Sequence, residues 1–153
     1  MQTETERLHT VTDFELLVHA SYAETAPLFG PEGERPWAGA EWDPQFVHPV
    51  PGRDEEGAVF TIRRGERKAV WVIARHDVEA RHFQYVYFIA ELLVTTIDVR
   101  FTPVDVGATK VHVTYARTAV TPEGDAHVAA MGEADKSAGP EWQAAIDSYL
   151  ATK

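Results

Sequence analysis

From Gly57 to Val120 apolar and polar residues alternate in run after run, and from Asp125 the apolar spacing changes to three and four. That change of period constrains the fold more than any other feature. GAVFTIRR, KAVWVIARH, EARHFQYVYFIA, LLVTTIDVRFTPV and TKVHVTYARTAV read as strands. Turns are expected at Arg64-Gly65-Glu66, near His76-Asp77, and at Asp105-Val106-Gly107, so the strands form an antiparallel meander. After them Val128, Met131, Ala138, Trp142, Ala145, Ile146 and Tyr149 lie on one stripe. The stripe fits a helix of about 25 residues, roughly 37 Å long. Gly139-Pro140 predicts a kink or short break in it, because proline removes a ladder bond and clashes with the preceding turn.

Upstream, Leu8, Phe14, Leu16 and Val18 share one parity and mark a half-buried strand. Ser21 and Glu24 form a capping box for a short helix, which Gly30-Pro31 stops. A second short helix is expected around 32–38, then an extended piece at 44–49. The intervening stretch ERPWAGAEWDPQFVHP has no period, yet holds two of the four tryptophans. An antiparallel sheet with one apolar face needs a cover, and only the long helix is large enough. The expected fold class is α+β: a curved sheet of about six or seven strands wrapped on a long C-terminal helix, as one domain over 1–153. Segment 22–50 closes the open end, leaving an apolar pocket.

The chain has 153 residues and a formal net charge of −10. That charge disfavours nucleic acid, whose binding needs a cationic face, and anionic membrane surfaces. With no cysteine, disulfides and thiolate chemistry are excluded. MQTETERLHT has no apolar run of a signal peptide. The longest apolar stretch, Val86 to Val94, is interrupted by Glu91 and too short to span a bilayer. A cytoplasmic location without membrane insertion is expected, with disorder at MQTETE and at the last two or three residues.

Three stretches, in order, carry a resemblance: FELLVHASYAETAPLF, GERPWAGAEWDPQFVHP, and TKVHVTYARTAVTPEG followed by a helix with EWQAAIDSYL. The layout resembles the START-like SRPBCC superfamily, with its birch-pollen-allergen-like proteins and polyketide cyclases, across about residues 8–151. The resemblance implies a helix-grip fold whose cavity holds hydrophobic or aromatic small molecules. It implies no particular reaction: members bind lipids, hormones or polyketides, some catalyse cyclisation or dehydration, and others assist chaperones. No cofactor is implied.

The candidate ligand-binding residues are Trp37, Trp42, Phe46, His48, Phe60, Trp71, Tyr85, Tyr87, Tyr115, Met131 and Trp142. Trp37, Trp42 and Phe46 are expected mainly to anchor their loop, since one buried aromatic removes roughly 150–250 Å² from water. Phe83, Tyr85 and Tyr87 share a strand face, opposite Val86 and Phe88, so both faces of that strand are apolar. A homodimer is one way to cover the outer one. Asp98 and Arg100 are read as an outward surface pair, Glu91 as a bulge or turn, and Arg63, Arg64, Arg67 and Lys68 as a solvated hairpin tip. The histidines, His76 and His82 included, fit no metal motif and are read as surface residues. An enzyme of the cyclase or dehydratase kind would need a titratable group inside the cavity, with His48, Glu41, Asp43 and Asp98 as candidates. A regulatory or chaperone-activating module would instead show a filled interior and an exposed apolar stripe near 85–89.

Overall fold

The computed structural model describes residues 6–153. Seven strands form one antiparallel sheet: β1 (His9–Val18), β2 (Gln45–His48), β3 (Val59–Arg64), β4 (Arg67–Asp77), β5 (His82–Ile89), β6 (Leu93–Asp105) and β7 (Ala108–Ala119). Their order across the sheet is β1-β7-β6-β5-β4-β3-β2. β3 to β7 are the meander read from the alternation. The turn between β4 and β5 lies at 78–81, just beyond the expected His76-Asp77. Glu91, expected at a bulge or turn, sits in the β5–β6 turn with φ 65°.

β1 and β2 are consecutive in sequence but lie at opposite edges, so the chain must cross the sheet between them. The crossing begins with α1 (Tyr22–Thr25), which Ser21 caps by accepting from the Glu24 N–H at 3.2 Å. The Ser21 hydroxyl also donates to the Glu24 carboxylate at 3.0 Å, completing the capping box. A 3₁₀ turn, Ala26–Leu28, follows directly. The helix expected at 32–38 is absent. Residues 31–37 make successive turns instead, with Glu34 N–H bonded to the Gly30 carbonyl and Ala38 N–H to that of Glu34. Pro31 and Pro36 each lack a backbone donor, so no regular ladder can run through the segment.

α2 (Pro122–Leu150) is longer than the stripe implied and starts where Thr121 caps Gly124 N–H at 3.1 Å. It passes through Pro140 without a break. Pro140 is exposed, while Gly139 beside it is buried close to the backbone of Glu15. Packing on the sheet there outweighs the lost ladder bond. α2 packs mainly along β1, less on β7 and least on β6. Val128 and Ile146 enter a core built from Leu16, Val18, Phe83, Ile97, Val99, Phe101, Val111 and Val113.

One buried ion pair ties α2 to the sheet. Arg117 on β7 faces Asp135 with two hydrogen bonds, one of 3.0 Å, and Thr12 on β1 donates to the same carboxylate. Expected disorder at the N-terminus falls largely on residues 1–5, outside the described part. At the other end Thr152 and Lys153 are hydrogen-bonded to the last turn of α2. No helix of the described residues is long and apolar enough to cross a membrane.

Asp135→Ala strands the Arg117 guanidinium in the interior and should cost about 3–5 kcal/mol in urea unfolding. Replacing both partners, as Arg117→Met with Asp135→Leu, should recover most of that loss.

Candidate functional site

Beyond the reach of α2, the concave face carries aromatic rings. Period two points Phe60 on β3, Trp71 on β4, Tyr85 and Tyr87 on β5 and Tyr115 on β7 to the same side. Trp71 stacks on Tyr87 at 4.4 Å and on Phe60 at 5.5 Å between ring centroids. Trp142 of α2 meets this side, edge-on to Trp37 at 5.5 Å. Between these rings and the crossing segment lies a cavity of about 360 Å³. All four tryptophans of the chain line it.

The crossing segment is pinned by its own polar groups. The indole N–H of Trp37 donates to the Leu28 carbonyl at 2.8 Å and that of Trp42 to Pro31 at 3.0 Å. Asp54 accepts the backbone N–H groups of Glu32 and Gly33 at 2.8 and 2.9 Å. Gly30 lies at φ +128°, where a Cβ would fall 2.5 Å from the Asp54 carboxylate. Only glycine fits that bend. Trp37 and Trp42 therefore both anchor the loop and wall the cavity.

Eight of the eleven candidate residues lie on the cavity: Trp37, Trp42, Phe60, Trp71, Tyr85, Tyr87, Tyr115 and Trp142. Three do not. Phe46 packs against Phe60 at 5.5 Å from the edge strand β2 and under Gly52. His48 is exposed at the end of β2. Met131 packs on the core from α2, its sulfur 3.8 Å from the Tyr87 hydroxyl.

Glu41, Asp43 and Asp98, one of which the enzyme alternative would need inside, do not line the cavity. Glu41 and Asp43 are exposed, and Asp43 is held by Arg35. Asp98 is on the outer face, bonded to His82, Gln84 and Arg100. Asp98 is thus more than one half of a surface pair, and His82 is buried rather than superficial.

Two carboxylates do line the cavity, the half-buried Glu34 and the exposed Glu141. The Glu34 carboxylate accepts the Gly30 N–H at 2.8 Å and has no cationic partner among the described residues. Burial pushes its pKa up to about 8, against the pull of the Gly30 N–H and with help from the nearby Asp54 charge. Burial and the Glu34 charge also push the hydroxyls of Tyr85 and Tyr115 upward. Tyr85 and Trp71 each carry a buried donor with no acceptor among the described residues. Arg117 completes the wall with its guanidinium 4.4 Å from the Tyr115 ring centroid.

The sequence reading missed Arg117 as well as Glu34, although alternation along β7 puts Arg117 on the side of Val111, Val113 and Tyr115 and could have found it. In GERPW Glu34 looks like any loop carboxylate, and only its place three residues before Trp37 hints that the turn points it inward.

This sheet, its crossing segment and its long covering helix define the helix-grip fold shared by START-like and birch-pollen-allergen-like proteins. Among solved structures, the chain is similar to a truncated norcoclaurine synthase from Thalictrum flavum: 13% identity, TM-score 0.67, 98% of each chain covered. It is likewise similar to an uncharacterised protein from Rhizobium leguminosarum, with 16% identity, TM-score 0.66, and 96% of this chain and 97% of that one covered. A third is Ara h 8.0201, with 16% identity, TM-score 0.63, and coverage of 95% and 99%. No family model and no curated protein matches the sequence.

Because the folded pKa of Glu34 is raised, folding favours its protonated form. Its contribution is full below the unfolded value of 4.5 and is lost as pH rises through about 8. Glu34→Gln keeps the shape and the Gly30 bond without the charge. The variant should become progressively more stable than the wild type between those pH values, as read from urea midpoints, with no further gain above them.

Proposed function

We propose that this protein binds a hydrophobic or aromatic small molecule in the cavity between the sheet, the crossing segment and α2. The observation that carries this reading is an aromatic wall holding two unused buried donors, on Tyr85 and Trp71. Apolar walls with a few fixed polar groups are the usual composition of ligand sites, whose volumes run from roughly 300 to 1,000 Å³. The rings supply contact area, and the tyrosine and indole donors orient a ligand acceptor.

A second reading, an acid–base enzyme acting on the bound compound, is favoured by Glu34 alone. A carboxyl with a pKa near neutrality inside an apolar site suits proton transfer. If so, Glu34→Gln should retain the compound and lose its turnover. The regulatory-module reading draws on the outer face, where Val70, Val72 and Val86 adjoin the exposed Phe88 and Val94, but the interior is not filled as that reading requires.

An apolar fluorescent dye should bind at one per chain and quench tryptophan emission. Ala145 lines the cavity, so Ala145→Phe should occupy it, weaken dye binding by about tenfold or more, and leave the unfolding temperature unchanged. Dye binding unaffected by Ala145→Phe would place the site elsewhere.

A further inference from the structure

We propose that the cavity takes an organic cation, a quaternary or protonated amine on an apolar body, with its charge set against Glu34 and its body among the tryptophan and tyrosine rings. The inference deepens the ligand-binding reading and rests on it. Its first support is the wall. Trp37, Trp42, Trp71 and Trp142 all face one space with Tyr85, Tyr87 and Tyr115. Aromatic faces attract a cation through their quadrupoles, tryptophan most strongly, and more so when water is excluded.

Its second support is the balance of charge. Glu34 accepts only a backbone N–H and has no cation beside it among the described residues. Asp54 lies behind it in the same loop system, Tyr85 faces it from β5 and Tyr115 from β7. None of these is positive. Arg117, the buried cation of the wall, is committed to Asp135. Arg64 and Glu141 line exposed parts of the cavity with opposite signs, and Arg64 leans over Tyr87 at 5.8 Å. His76 is linked to Asp54 rather than to the cavity.

An anionic ligand would meet the Glu34 carboxylate with the Asp54 charge behind it. A neutral one would leave Glu34 buried without a counter-charge. A cation replaces the solvation that burial removes from the carboxylate. Its arrival must then expel the Glu34 proton, so binding and proton release are linked.

Benzyltrimethylammonium and its uncharged carbon isostere, 2,2-dimethylpropylbenzene, separate charge from shape. The cation does not titrate, so any pH dependence belongs to the protein. Tryptophan emission reports both titrations. The cation's Kd should fall about tenfold per pH unit from roughly pH 6 and level off near 8. The hydrocarbon's Kd should stay flat. Glu34→Gln should flatten the cation's profile at the weak, low-pH value and leave the hydrocarbon's affinity unchanged. The wild-type profile alone suffices if that variant folds poorly. Hydrocarbon binding with a flat or absent response to the cation overturns the cation inference and leaves the ligand site standing. Failure of both probes overturns the two together.

Discussion

One helix cannot cover seven strands. Strands about 4.8 Å apart make a sheet roughly 29 Å across, and a helix with its side chains is about 10–12 Å wide. α2 lies along the β1–β7 side. The β3–β5 side therefore needs another cover, and the topology supplies it. β1 and β2 are at opposite edges, so residues 19–44 must cross the concave face. That crossing brings Trp42 against Phe60 and Trp71 and Trp37 against Trp142 of α2, and the two covers leave the cavity where they fail to meet. A periodless loop holds two tryptophans because it serves as half of the roof.

The interior treats its charges in two ways. Arg117 and Asp135 neutralise each other, with Thr12 completing the carboxylate's bonds. That pair fixes the height of α2 over β1 and β7, and so one wall of the cavity. Glu34 receives one backbone N–H and, among the described residues, no counter-charge. Burying a carboxyl this way lowers stability at the pH where it ionises. The protein tolerates the cost because Asp54, Gly30 and the two indole N–H bonds over-determine the loop. Carboxyls perturbed in this way cluster at functional sites, which supports the proposed ligand site.

Much of the fold was legible because period carries it. Alternation through 57–120 and the change at 125 yield the meander and its cover. Parity placed Tyr85 and Tyr87 on the face of Phe83, where the structure puts them, and Phe60, Trp71 and Tyr115 join that face across the strands. Legibility ended where backbone turns, not period, aim the side chains. Two prolines converted the helix expected at 32–38 into turns. Phe46 and His48 belong to an edge strand that passes beside the cavity. Met131 follows the helix stripe onto the core. Glu34 needed the tertiary position of Gly30 and Asp54, which no local pattern encodes.

The indole N–H signals of a ¹⁵N-labelled sample report on the cavity wall one ring at a time. An apolar compound small enough to enter should shift all four along one saturation curve. Trp71 should move most, since its N–H has no protein acceptor while those of Trp37 and Trp42 are bonded to backbone carbonyls. Four signals unmoved at saturating ligand, or moving along unrelated curves, would contradict a single ligand cavity beneath the crossing segment.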